Sequence, residues 1–190
     1  AIPFAADLGD AAQAAAAVAA CVERFGRIDA VVSLAGDGRV ARLVDSSLAD
    51  LRANYAAFVE TAYNLALPAL RAMLAQPYRD GARSRGRIVV VTAGSSKQPA
   101  PGRGLFGVAK AGVNVLMQAI AREHKADGIV ANALVLGGVA TDAARSYLNA
   151  EDFAAAATPQ EVADALAFLA SDRGSGVNGA LVDLNAREVD

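Results

Sequence analysis

Residues 86–92 read Gly86-Arg87-Ile88-Val89-Val90-Val91-Thr92. Four aliphatic residues stand in a row with no polar alternation. A strand of that kind is buried on both faces, which is the habit of parallel sheets. Outward from it, Asp29-Ala30-Val31-Val32-Ser33 has the same character. The pattern predicts strands at Ile28–Ser33, Arg87–Thr92, Ile129–Val135 and Ala180–Leu184, with a further strand at Ile2–Ala6. Alanine-rich helical stretches lie between them, at Asp10–Phe25, Ser47–Leu74, Leu105–Lys125 and Pro159–Ala170. Strands that alternate with helices argue for an α/β chain with a parallel sheet covered on both faces. No repeat or low-complexity linker divides the 190 residues, so one domain over 1–190 is expected.

Helix starts are marked chemically. Thr158-Pro159-Gln160-Glu161 places an N-cap hydroxyl, a proline at the first helical position and a carboxylate at the third. Ser47-Leu48-Ala49-Asp50 is a weaker version of the same box. Composition narrows the function classes. Lys+Arg is 18 against Asp+Glu 20, a net charge of −2, so no electrostatic case exists for nucleic acid or an anionic membrane. One Cys and one His exclude an intrachain disulfide, a cysteine cage and a histidine-rich metal site. The chain holds 47 alanines and no Trp, so its core must come from closely packed helices and aliphatic strands. No charge-free apolar run is long enough to span a bilayer. The start, Ala1-Ile2-Pro3-Phe4, carries no secretory signal as given, and a cytoplasmic location is expected.

Several motifs invite chemistry and decline it. Gly102-Arg103-Gly104-Leu105-Phe106-Gly107 spells G-x-G-x-x-G, but its strand ends ten residues earlier, near Thr92. A dinucleotide fingerprint needs the strand immediately before the first glycine, so that the turn delivers pyrophosphate to the helix N-terminus. The basic stretch Arg79–Arg87 reads as a solvated connection rather than a phosphate site. Cys21 reads as a small packed residue, and His124 as a favourable charge near a helix C-terminus. Gly94–Gly104 is polar and follows a strand end, the edge at which open α/β sheets bind ligands.

Taken in order, these pieces resemble the short-chain dehydrogenase/reductase superfamily, in the branch near the 3-oxoacyl reductases. The resemblance runs from Ile2 to Asn185. Ala6-Asp7-Leu8 resembles the adenine-contacting end of the family's third strand. Phe25-Gly26-Arg27-Ile28-Asp29, then Ser33-Leu34-Ala35-Gly36, resembles the fourth strand and its Asn-Asn-Ala-Gly turn. Asn54 stands where the family keeps an active-site Asn, and Gly86-Arg87-Ile88-Val89-Val90 resembles the fifth strand. Phe106-Gly107-Val108-Ala109-Lys110 resembles the Tyr-x-x-x-Lys helix. Asn132 to Gly137, with Thr141 beyond, resembles the Asn-Ala-x-x-Pro-Gly-x-x-x-Thr segment. Glu161-Val162-Ala163-Asp164 and Phe168 to Asp172 resemble the C-terminal helix. The resemblance implies a Rossmann-type doubly wound parallel sheet that lacks, in the chain as given, the N-terminal β-α-β part. It also implies NAD or NADP as cofactor, with Asp7, Leu8, Ala35, Gly36, Lys110, Gly137 and Thr141 at its binding positions. Without the family's first two strands, the strand ending at Ser33 keeps an open apolar edge. Either residues precede Ala1, or a partner protects that edge.

The departures bear on chemistry. The family's Tyr position holds Phe106 and its Ser position holds Ala93. A phenyl ring has no proton to give and a methyl group forms no hydrogen bond. Asn54 and Lys110 are the remnants of the tetrad, and Lys110 has no phenol left to activate. Thr92, Ser95 and Ser96 lie near the Ser position and are candidates for rescue. The segment 143–157 is expected to form a helical lid over the substrate. The leading expectation is a catalytically silent homologue, a structural or regulatory subunit of a hetero-oligomeric NAD(P)-dependent oxidoreductase for hydroxyacyl or oxoacyl thioester-like substrates. Assembly through the helices of 47–74 and 105–125 with an active paralogue is implied. The alternatives are an active short-chain oxidoreductase with non-standard catalytic residues, and a nucleotide or small-molecule sensor.

Overall fold

The computed structural model describes residues 1–184. Asn185, the last residue of the resemblance, lies outside the described residues. Asp10 caps helix α1 (Ala11–Phe25), its carboxylate accepting from the N–H groups of Ala12 and Gln13, and Gly26 ends it at φ 76°. That left-handed turn suits glycine, which has no Cβ to clash. Strand β1 (Ala30–Ser33) follows. The predicted capping box at Ser47 and Asp50 then starts α2 (Leu48–Tyr55). The expected long helix is one rod in three parts: α2, a π-helical stretch Ala56–Glu60, and α3 (Thr61–Ala75). The extra residue of the wider turn shifts which side chains after Asn54 face the sheet.

Strands β2 (Gly86–Ala93), β3 (Ile129–Leu136) and β4 (Leu181–Leu184) complete a parallel sheet of order β1-β2-β3-β4. Helix α4 (Gly104–Glu123) links β2 to β3. The short α5 (Ala150–Ala155) and α6 (Pro159–Leu169) lead from β3 towards β4. The Thr158–Glu161 box opens α6 as its sequence predicts.

Alternation along the strands divides the core into two layers. Ile88, Val90, Ala131 and Ala133 meet Ala62, Ala66, Ala69 and Met73 of α3 and Val113 and Met117 of α4. Val89 and Leu134 meet Val162, Leu166 and Leu169 of α6 on the opposite face. The alanine stripe of α3 lets its backbone approach the sheet closely. Gly86 makes room for Met73, which would collide with a Cβ at that position. Among the described residues α4 alone is long and apolar enough to cross a membrane, and its inner face is core against β2 and β3.

Two expectations need correction. Ile2–Ala6 forms no strand. A strand exists by pairing, and the segment joins no ladder: β1 is hydrogen-bonded to β2 alone and its outer edge stays unpaired among the described residues. Ile2 and Phe4 are more than half exposed there. The stretch Arg79–Arg87 is not simply solvated. Arg87 is buried, ion-paired with Asp172 and donating to Ser175 Oγ at 2.9 Å, while Arg85 donates to the Leu74 carbonyl at 2.8 Å. Their partners lie far away in sequence, so a local reading of charge misses them. Of the helical structure expected over 143–157, a 3-10 turn at Ala143–Ser146 and a helix at Ala150–Ala155 are present, but Ala156 and Ala157 are extended and buried.

Candidate active site

Parallel strands place their carbonyl ends on one edge, and two clefts open there. The first, about 460 Å³, lies beyond β1 and is lined by Asp7, Leu8, Ala35 and Gly36, four of the residues singled out in the sequence. Asp37 and Glu60 also line it, and no cation does. Asp7 shapes its rim, with Oδ1 accepting the Gly9 N–H at 2.8 Å. Asn64 of α3 holds the same segment by donating to the carbonyls of Leu8 and Gly9, each at 3.1 Å. The second cleft, about 310 Å³, lies beyond β2 and β3 and is lined by Ala93, Gly137, Ser95, Gln98, Arg103 and Tyr147, among others.

Between the clefts stand the tetrad positions. Lys110, buried on α4, donates from Nζ to the Val91 carbonyl at 3.1 Å. Its ammonium lies 4.1 Å from the centre of the Phe58 ring and 5.8 Å from that of Phe106. Phe58 and Phe106 meet edge to face, with centroids 5.2 Å apart. Burial pushes the Lys110 ammonium down to about 8 from its ordinary value of 10.5. None of its contacts is a carboxylate, so two ring faces and one carbonyl carry the charge. Asn54, also buried, donates from Nδ2 to the carbonyls of Arg39 at 3.2 Å and Asp50 at 3.0 Å. Its Oδ1 has no partner among the described residues.

The rescue candidates separate. Ser96 Oγ accepts from Asn114 Nδ2 at 2.8 Å and is engaged. Thr92 is buried, and its Oγ1 has no partner among the described residues. Ser95 lines the second cleft. Thr141 lines neither described cleft, and its Oγ1 accepts the Ala144 N–H at 3.3 Å within a turn. Two residues escaped the sequence. Phe58 covers Lys110 from the π-helical stretch; its place four residues after Asn54 was the available signal. Tyr147 reaches the second cleft from the lid, and no local pattern foretells that. The site can hold a polar ligand through Ser95, Arg103 and Tyr147, but the positions of Phe106 and Ala93 offer no proton and no hydrogen bond.

The family model described as enoyl-(acyl carrier protein) reductase matches residues 1–186. The chain is 31% identical over 191 residues to the oxidoreductase UcpA of Escherichia coli K12, covering 92% of this chain and 70% of that protein. It is 31% identical over 157 residues to a 3-oxoacyl-[acyl-carrier-protein] reductase of Synechocystis, covering 80% of this chain and 60% of that one. Its fold matches a short-chain type dehydrogenase/reductase from Mycobacterium ulcerans with a TM-score of 0.84 at 24% identity, over 95% of this chain and 67% of that one. It also matches a tyrosine-to-phenylalanine variant of ElxO with NADPH bound, with a TM-score of 0.84 at 23% identity, over 96% and 75%.

Proposed function

The chain belongs to the short-chain dehydrogenase/reductase superfamily of oxidoreductases, and on that premise we propose that it is a catalytically silent member, a structural or regulatory subunit of an NAD(P)-dependent oxidoreductase. One observation carries this reading: Lys110 is buried with its ammonium against the rings of Phe58 and Phe106, the second of which stands at the family's proton-donor position. Proton transfer from a positioned group is worth roughly 10²–10⁴ in rate, and the family's donor position here is a phenyl ring.

The residues fit a nicotinamide dinucleotide at one end only. The cleft of Asp7, Ala35 and Gly36 offers acceptors and small apolar walls, which suit an adenine edge and its N–H donors. Asp7, Asp37 and Glu60 would repel a phosphate there. At the reactive end, Lys110 already spends a proton on the Val91 carbonyl and meets an aromatic face where a ribose would have to reach it. The names of an enoyl- and a 3-oxoacyl-[acyl-carrier-protein] reductase among the matches support acyl thioesters, of the hydroxyacyl or oxoacyl kind, as substrates of the assembly. Assembly through α2–α3 and α4 is supported by Tyr55, Tyr63, Val108 and Val115, large apolar residues about half exposed or more on those helices.

A second reading, an active enzyme with unorthodox groups, has Ser95 and Tyr147 in its favour, since both hydroxyls line the cleft next to Ala93. Native mass spectrometry of the protein isolated from its own cells, paired with an NADPH-oxidation assay on an acetoacetyl thioester, separates the two. The silent subunit is expected to co-purify with a second short-chain dehydrogenase chain and to show no turnover alone. Turnover by this chain alone, lost on Tyr147→Phe or Ser95→Ala, would establish the second reading instead.

A further inference from the structure

A further cavity among the described residues is not at the carbonyl edge. It lies at the opposite end of the sheet, about 500 Å³, where β3 begins and α4 ends. Three cations line it: Arg83 from the loop before β2, Arg122 from the last turn of α4, and Lys125 just beyond. No carboxylate lines it, and none of the three cations has an ion pair among the described residues. Asp127, the nearest acid in sequence, is held by His124 at 2.9 Å and is not among the lining residues. A helix C-terminus attracts cations, which accounts for Arg122 and Lys125. It does not account for Arg83, which a separate loop brings to the same groove.

The walls add uncharged donors. Ser84 is buried, and its Oγ has no partner among the described residues. Gly176 and Asn178 also line the groove, and their backbone N–H groups meet no acceptor among the described residues. Gly176 has open space where a side chain would stand. Close packing of three like charges costs energy unless an anion or water answers them, and a concave surface concentrates their field. Neighbouring Arg87 and Arg79 show the contrast, because both are answered by Asp172.

We propose that this groove is a binding site for a phosphate-bearing small molecule, held by Arg83, Arg122 and Lys125 and remote from the carbonyl-edge clefts. The shared chemistry is a multiply charged phosphoryl group. Its source is either free inorganic phosphate species or a phosphate ester. Arginine favours such groups because its planar fork matches two phosphoryl oxygens at once.

The test uses the whole chain, with inorganic pyrophosphate and glycerol phosphate as separate probes, followed by calorimetry and amide chemical shifts. Saturable one-to-one binding of either probe is expected, with shifts confined to residues 83–86, 121–130 and 175–179. Stronger binding of pyrophosphate would point to an inorganic ligand, and stronger binding of glycerol phosphate to an ester. The pair Arg83→Glu with Arg122→Glu should weaken binding by about tenfold or more, while Arg52→Glu, an exposed cation on α2, should leave it unchanged. All three side chains are exposed, so an unaltered melting temperature will show that the variants fold. Lys125→Glu gives an independent arm should the pair fail that check. Absence of saturation up to about 10 mM, shifts scattered over the surface, or equal binding by the charge-reversed and parent chains would overturn the assignment.

Discussion

Asn132 and Asn54 are both buried, and their surroundings differ in kind. Asn132 in β3 donates to the Val177 carbonyl at 2.7 Å and accepts from the Ala180 N–H at 2.9 Å. Asn178 answers from the other side, accepting from Ala131 N–H at 2.9 Å and donating to the Ile129 carbonyl at 3.2 Å. The two amides staple β3 to the chain that becomes β4, and every side-chain polar atom of Asn132 has a partner. Asn54 keeps an unanswered Oδ1, and close to Lys110 in the chain or the sheet are two more such atoms, Thr92 Oγ1 and Asn114 Oδ1. Most buried polar groups are satisfied, and leaving one unmade costs about 1–3 kcal/mol. The cluster around Lys110 has the composition of a site kept for something other than stability.

The largest effect should come from the satisfied side. Asn132→Ala leaves a buried N–H and a buried carbonyl without partners and is expected to cost about 4 kcal/mol. For a chain of this size that lowers the melting temperature by roughly 8–16 °C. Thermal unfolding followed by circular dichroism checks it. A loss under about 1 kcal/mol would mean water replaces the staple, and the comparison would fail at its stronger end.

Lys110 sharpens the other end through pH. Its ammonium titrates at about 8 in the folded chain and at 10.5 when unfolded. Between those values the unfolded chain binds more protons, so stability rises with pH across that window. Relative to Lys110→Met, the parent chain should gain on the order of 3 kcal/mol from pH 7 to pH 11. Below about pH 7 the difference between the two should be flat. The measurement is denaturant unfolding of both chains over that range. A parallel pH dependence of the two would show that Lys110 finds a counter-charge or water that its ring contacts do not reveal.

The contrast also marks what a sequence discloses. Apolar runs such as 88–92 and capping residues such as Thr158 act locally, so strands and helix ends were legible to within a residue or two. The Ile2–Ala6 segment misled because composition reports the capacity to pair and not the presence of a partner. In the site, the replacements at Ala93 and Phe106 were visible through the resemblance to the family, position by position. The ring that covers Lys110 was not, because Phe58 reaches it only through the π-helical stretch and the packing of α2–α3 on α4. The Arg87–Asp172 pair joins residues 85 apart, a distance no pattern of neighbouring charges encodes.

Two smaller substitutions test the unsatisfied cluster directly. Asn54→Ala removes two donated hydrogen bonds but also the orphaned oxygen, and should cost about 1–2 kcal/mol, at most about half the effect at Asn132. Thr92→Val is the most discriminating. It keeps the branched shape that a β-strand favours and deletes only the hydroxyl. Were that hydroxyl hydrogen-bonded, the change would cost about 1 kcal/mol; because Oγ1 meets no partner, the change should stabilise the chain by roughly 0.5–1 kcal/mol. Chemical denaturation resolves the sign if the slope with denaturant is unchanged. A destabilised Thr92→Val would place a bound water on that oxygen and turn the cluster around Lys110 into a hydrated relay. A stabilised one would show that the hydroxyl persists at a cost to the fold, at the end of β2 where the clefts open.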